Sequence, residues 1–339
     1  MTEKIIKNLA IPYIESPFFR KIFSDKSHPW YKYASELNEN GYAIIKNNEL
    51  FSTEEIADKI VNTIHDHYEG NNIPGRLQDF AKLCPQVDQV SNHPKILDLL
   101  EYLYGRKAFP FQTLHFSKGT QQHFHADAVH FNSIPERYMC GVWFALEDID
   151  ETQGPLVYYP KSHKFPIYEN EHIGVDPINS PKIDQKNYEL LWEELVEAAE
   201  IEPKIFLANK GDILIWSANL LHGGAKQIDQ TKSRFSQVTH YYFDDCTYYV
   251  PMESDKRQGF LKTRINESSD NYNGSLQKKR KKIVDEFRDN YQSLIFQVQL
   301  PKDFNPKLYL KLNNDIKDSG MDPTRHYVLY GRDEGRPYK

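Results

Sequence analysis

Cysteine is scarce here: Cys84, Cys140 and Cys246 are the three in 339 residues. They are odd in number, far apart and form no CxxC pair, which excludes a disulfide framework, a thiolate zinc site and a redox dithiol. Long apolar runs are also missing, and none approaches the roughly 18 residues that a bilayer-spanning helix needs. The first stretch, "MTEKIIKNLAIPYIESPFF", has neither the apolar core nor the small-residue cleavage site of an export signal. Both absences lead us to expect a cytoplasmic protein with reduced thiols. In that setting the sequons at Asn266-Glu267-Ser268 and Asn273-Gly274-Ser275 carry no meaning. An excess of positive charge is absent too. With a formal charge of -6, neither nucleic acid nor an anionic membrane is favoured as a partner, and a small molecule or a protein is expected instead. There is no internal repeat and no signal for an oligomeric state.

The chain is long enough for one large domain with an appendage, or for two domains. Up to about residue 105 strands and helices mix: "GYAIIKN" reads as a short strand, "STEEIADKIVNTIHDHYEG" as a helix capped at Ser52 or Thr53, and "PKILDLLEYLYG" as another helix. His65 and His67, two apart on the first helix, point to different sides and read as surface residues. From Phe109 to about Val250 the chain is rich in short strands separated by Gly, Pro and Asp turns: "FPFQTLHFS", "YMCGVWFALEDI", "GPLVYYP", "GDILIWSA" and "RFSQVTHYYF". That pattern predicts an antiparallel sandwich or barrel with flanking helices. An insertion over 165–204, with the acidic helix "YELLWEELVEAAE", interrupts it and reads as a lid or substrate loop. The division expected is a main domain over 1–255, a charged helical linker over 256–299 and a small helical module over 300–339. The basic run Lys278 to Lys282 reads as a solvated helix face.

Chemistry concentrates in "HFHADAVHF". Residues two apart on a strand face the same way, so His125 and Asp127 offer an imidazole and a carboxylate to one ion. Two groups do not fix a divalent metal, and a third ligand must come from elsewhere. His222, where the apolar strand of "GDILIWSANLLHGG" ends, is the candidate. Two histidines and one carboxylate make the set that leaves positions open on iron for a co-substrate and dioxygen. Further on, Arg234, Ser236, Val238 and His240 share a strand face. A guanidinium fork and a hydroxyl there suit the far carboxylate of a dicarboxylic 2-oxo acid.

Together "QTLHFSKGTQQHFHAD", "GVWFALEDIDETQGPLVYYPKSHK", "KGDILIWSANLLHGGA" and "RFS" resemble, in order, the phytanoyl-CoA dioxygenase family of iron(II)- and 2-oxoglutarate-dependent oxygenases. The resemblance runs from about residue 40 to 245. It implies a double-stranded β-helix, the jelly roll of cupins, with His125, Asp127 and His222 on iron and Arg234 on 2-oxoglutarate. It also implies help for Arg234 from Ser236, and a co-substrate contact for Gln112, which falls where ectoine hydroxylases place a glutamine. Members often carry Trp-His-Gln-Asp and Pro-Gly-Ser-His. This chain has Phe124-His125-Ala126-Asp127 and Pro160-Lys161-Ser162-His163, and neither change touches a ligand. The carboxylate of Asp127 argues against the related halogenases, which lack it. A second resemblance, over "DFNPKLYLKLNNDI" and "DPTRHYVLYGRDEGR", is to a small helical module of bacterial surface-polysaccharide enzymes. It tilts the substrate class toward a sugar or glycan intermediate.

His123 reads as lying beside the site or facing substrate, because an extended His-x-His-x-Asp run is too long for all three to meet one ion. His115, His130 and His240 read as core, surface or hydrogen-bonding residues, and Trp143 and Trp216 as core. The expected protein is an iron(II)- and 2-oxoglutarate-dependent dioxygenase hydroxylating a small molecule. A cupin-like metal-dependent isomerase or hydrolase would have no need of Arg234 and Ser236. A non-catalytic glycan-associated binding protein would have little reason to keep three ligands.

Overall fold

The computed structural model describes residues 10–68, 73–176, 185–264, 300–319, 321–332 and 334–339. The chain divides into two compact units, Met1–Asp270 and Asn271–Lys339.

In the first unit, two sheets carry the architecture. A six-stranded antiparallel sheet has the order β1-β8-β5-β10-β3-β2. Its strands are β1 (Tyr42–Ile45), β2 (Arg76–Gln78), β3 (Ala108–Phe116), β5 (Met139–Ala145), β8 (Ile213–Ser217) and β10 (Ser236–Phe243). The order is non-sequential, so most strands adjacent in the sheet are not consecutive in the chain. A three-stranded sheet, β7-β6-β9, lies opposite and consists of β6 (Leu156–Tyr158), β7 (Lys204–Phe206) and β9 (His222–Gly224). A further pair joins β4 (Asn132–Ile134) to β11 (Thr247–Tyr249).

The five strands read from apolar runs, β3, β5, β6, β8 and β10, are all present; β5, β8 and β10 are buried along their whole length. A strand buried on both faces needs cover on its outer side, and helices supply it. These are α1 (Phe19–Ile22), α2 (Tyr31–Asn40), α3 (Glu54–His67), α4 (Pro85–Ser91) and α5 (Pro94–Tyr104). Leu37, Ile60, Val87, Leu99 and Leu103 from these helices join Val142, Ile215 and Tyr241 from the sheet in one core. The inner face of the sheet, with Leu114, Trp143, Leu214 and Val238, packs against Leu156 and Phe206 of the smaller sheet.

The "HFHADAVHF" stretch departs from the expected strand. Only His125 pairs, through an isolated antiparallel bridge with His222, and Asp127 already has helical backbone angles and leads into the short helix α6 (Ala128–Phe131). The turn there is held by Ala128 N–H donating to Ala218 O at 2.8 Å. Ala126 and Ala128 are buried in separate apolar clusters, so burial pulls the chain out of extension immediately after His125.

The insertion forms α7 (Lys186–Ala198) after an irregular stretch. Tyr188 and Trp192 bury their rings beside Ala126, Val129, Leu221 and Met252. The Asn170 amide nitrogen lies 2.9 Å from the carbonyl oxygens of Pro251, Met252 and Ser254, and the Tyr188 hydroxyl donates to Asn170 Oδ1 at 3.0 Å. This segment is thereby tied to the chain at 251–254.

The second unit contains α8 (Pro306–Leu312), α9 (Asn314–Ser319) and α10 (Pro323–His326), followed by a π-helical turn at Tyr327–Gly331. The Asn305 side chain caps α8 by accepting from Lys307 N–H and Leu308 N–H. Tyr309, Ile316, Tyr327 and Val328 make its small core. The helix expected in "SLQKKRKKIVDEFRDNYQSLIFQVQ", with its basic run, lies outside the described residues. Among the described residues no helix is long and apolar enough to cross a membrane.

Candidate active site

Between the two sheets of the first unit lies a cavity of about 410 Å³, and His125, Asp127, His222, Arg234 and Gln112 all line it. The bridge between His125 and His222 brings two residues distant in sequence side by side, with ring centroids 4.6 Å apart. Each ring is fixed from behind. His125 Nδ1 donates to His123 O at 3.0 Å, and His222 Nδ1 donates to Leu220 O at 3.0 Å. The Nε2 lone pairs are therefore the ones turned to the cavity. His125 Nε2 stands 3.8 Å from Asp127 Oδ1, and His222 Nε2 stands 3.8 Å from Asp127 Oδ2. Ligand atoms of the three residues all lie within 4.8 Å of one another. Two outward lone pairs and one carboxylate converging on a single point fit a divalent ion with an open coordination face.

Electrostatics agree with that fit. Burial, with the neighbouring His222, lowers the His125 pKa to about 3, so its imidazole is neutral and able to ligate. Burial works against the Asp127 charge. The imidazoles of His222, His240 and His125, together with the Trp216 indole, outweigh burial and hold that carboxyl at about 2.

Two side chains around Asp127, structural by the pattern of the sequence, also reach the carboxylate. Trp216 is buried as expected, but its Nε1–H donates to Asp127 Oδ2 at 2.7 Å. His240 stands with Nε2 3.6 Å from the same oxygen, and its Nδ1 is 3.0 Å from Gln112 Oε1. Trp216 gave no signal beyond its place in an apolar strand. His240, on β10, did: it falls in phase with Arg234, which lies just ahead of that strand. His130 also lines the cavity, with Nε2 2.9 Å from Gln185 Oε1, immediately before α7 of the insertion. His123 points away from the cluster to Glu193 of α7, Nε2 to Oε1 at 2.9 Å. His115 is a core residue bonded to Gln237, and His65 and His67 are exposed.

Arg234 sits at the other end of the cavity and is 2% exposed. Its Nη1 donates to Ser236 Oγ at 2.6 Å, and its Nε to Gly154 O at 3.3 Å. The guanidinium lies 5.7 Å from the Phe116 ring and 5.9 Å from that of Trp143. Among the described residues it has no carboxylate partner. Burial lowers its pKa to about 10, against the pull of Glu147, which leaves it cationic at neutral pH. A buried unpaired cation is costly, and an incoming carboxylate would offset that cost with paired hydrogen bonds.

A family model described as phytanoyl-CoA dioxygenase matches residues 37–234. A probable phytanoyl-CoA dioxygenase of Caenorhabditis elegans is 25% identical over 197 residues, which cover 55% of this chain and 59% of that protein. The peroxisomal phytanoyl-CoA dioxygenase of Rattus norvegicus is 25% identical over 181 residues, covering 51% of this chain and 50% of that one. The chain thus spans less than two thirds of the length of these relatives. Among solved structures, the apoform of EctD from S. alaskensis matches with a TM-score of 0.50 at 16% identity, over 69% of this chain and 82% of that one. That likeness shows the fold, a jelly roll with flanking helices, as anticipated from the sequence.

Proposed function

The chain belongs to the phytanoyl-CoA dioxygenase family, and from that membership we propose that it is an iron(II)- and 2-oxoglutarate-dependent oxygenase of a small molecule. The observation that carries the proposal is one cavity holding both His125, Asp127 and His222 within ligating distance of a common point and an unpaired, buried Arg234. The first group suits iron. The second suits the far carboxylate of a dicarboxylic co-substrate.

Iron(II) and 2-oxoglutarate, when bound, supply dioxygen activation and oxidative decarboxylation to succinate and carbon dioxide, coupled to oxidation of a substrate C–H bond. The chain supplies position and dryness. His123 O and Leu220 O orient the two imidazoles, and Trp216 holds one Asp127 oxygen. Ser236 keeps the Arg234 fork in place. Gln112 stands across His240 from the Asp127 carboxylate, near enough to help orient the co-substrate. The described part of the insertion, with Gln185 in the cavity lining, would help to exclude water above the substrate.

The finer reading of the substrate is a sugar or glycan intermediate of surface-polysaccharide assembly, supported by the resemblance of residues 300–339 to a module of such enzymes. A cytoplasmic location is supported by the three unpaired cysteines.

Anaerobic reconstitution with iron(II) and 2-oxoglutarate tests the chemistry, with succinate release in air as its second readout. A weak visible charge-transfer band should appear with the wild type and vanish when Asp127→Ala is combined with His222→Ala. Arg234→Ala should raise the 2-oxoglutarate requirement by about two orders of magnitude, the worth of a buried charged pair, with iron binding near normal. No band in the wild type, or a band indifferent to loss of both ligands, defeats the reading.

A further inference from the structure

The mouth of the cavity carries charge that the oxygenase chemistry does not use. Arg76 and Arg264 line it, and Glu253 is the acidic residue beside them. Arg264 follows a bridge between Tyr249 and Thr263, and its backbone N–H donates to Tyr248 O at 2.8 Å, so its origin is fixed. Its guanidinium lies 4.5 Å from the Phe131 ring and 5.7 Å from that of Phe111. The only hydrogen bond it makes among the described residues is a long one, 3.4 Å, to His130 O. Stacking on aromatic faces fixes the plane of an arginine and leaves the edge of its fork open for an oxyanion.

Arg76 comes from the other side, at the first residue of β2 on the edge of the large sheet, opposite Phe116. Among the described residues it has no carboxylate partner either. Both side chains line the same cavity. Glu253 does not neutralise them, since its nearest cation is Lys262 at 3.8 Å.

We infer that Arg76 and Arg264 form a recognition site for an oxyanion, a carboxylate or phosphate, on the substrate. The inference rests on the oxygenase reading in one respect: a divalent ion, Asp127, doubly charged 2-oxoglutarate and Arg234 balance one another inside the cavity. The positive charge at the mouth is then left over for the substrate. A neutral substrate would leave the two cations that line the cavity without a counter-charge of their own. An anion supplies one through two charge-assisted contacts and orients the substrate with its charged end outward and its neutral part toward the metal.

Calorimetric titration with small probes tests this on protein held anaerobically with iron(II) and saturating 2-oxoglutarate, so that Arg234 is occupied. Phenyl phosphate, benzoate, benzyl alcohol and benzylamine share one ring and differ in charge. At least one of the two anions should bind about tenfold or more tighter than benzyl alcohol, the gain of one charge-assisted contact, and benzylamine weakest. The stronger anion tells phosphate from carboxylate. Arg76→Gln with Arg264→Gln should abolish the preference, and the corresponding double lysine variant should keep part of it. Equal affinity for benzyl alcohol and both anions in the wild type overturns the inference without any variant. So does an anion preference that the double glutamine protein, shown folded by its melting temperature, retains. If the wild type forms no charge-transfer band yet prefers anions through these arginines, the oxygenase reading falls and the oxyanion site stands.

Discussion

Trp216 shows how a single residue reaches a metal site without being a ligand. Its N–H takes up Asp127 Oδ2 at 2.7 Å, so Oδ1 is the oxygen left without such a donor. Replacing the indole by Phe keeps most of the buried ring and removes the donor, and the carboxylate gains freedom to rotate. Partners that orient a ligand in this way are typically worth about 10–100-fold in metal affinity. Trp216→Phe should therefore stay folded and weaken iron(II) binding by that factor in a direct metal titration. An unchanged affinity would mean that the bond to Asp127 does no orienting. Much of the candidate ligand set was legible in the sequence, because His125 and Asp127 are close together and His222 follows an apolar strand. Trp216 was not legible as a partner of the site: a buried tryptophan in "ILIWS" looks the same whether its N–H meets a carboxylate or not.

At the scale of the element, the site is one row of the large sheet. Gln112 on β3 is opposite His240 on β10, His240 is opposite Gly141 on β5, and Gly141 is opposite Trp216 on β8. Antiparallel register puts neighbours of this kind on one face, and Asp127 sits over the row. Gly141 is the position without a side chain, and the Trp216 ring occupies the space: a Cβ built there collides with its Cε2 and Cζ2 atoms. Gly141→Ala should push the indole off Asp127. Iron(II) binding should weaken at least as much as in Trp216→Phe, and the melting temperature should fall as well, because overpacking a core costs about 1–3 kcal/mol. A normal melting temperature with normal iron binding would show that the ring has room elsewhere. The strands of this row were readable from their apolar runs. Their register was not, since it is set by which inner faces pack together and each strand taken alone is compatible with several pairings.

For the whole molecule, acid sensitivity follows from histidines buried as neutral groups. Burial lowers His115 to about 4, partly opposed by its bond to Gln237. It lowers His163 to about 4 as well, against the Asn38 carbonyl. Both start from 6.5 when exposed. Between about 4 and 6.5 the unfolded chain therefore binds more protons at these residues than the folded one, and stability must rise with pH across that window. Thermal unfolding of the metal-free protein should show the melting temperature dropping as pH falls from 6.5 toward 4. His115→Gln should make the drop shallower, and a flat profile from 6.5 to 5 would contradict the assignment. Oxyanion recognition at Arg76 and Arg264 belongs to this scale too, because the two residues are far apart in the sequence and come together only as lining of one cavity.

The sequence by itself determined the class of fold, the principal strands and helices, two neighbouring candidate ligands with a candidate third, and a cation just ahead of β10. Those are properties of local pattern: period-two and helical alternation, turn residues and the chemistry of short spacings survive without knowledge of what lies across the sheet. Tertiary structure alone decided that "HFHADAVHF" leaves extension at Asp127, that Trp216 and His240 meet that carboxylate with Gln112 behind His240, and that Arg76 and Arg264 line the same cavity. Each of these depends on strand register and on burial from the opposite sheet, long-range terms that no window of the chain contains.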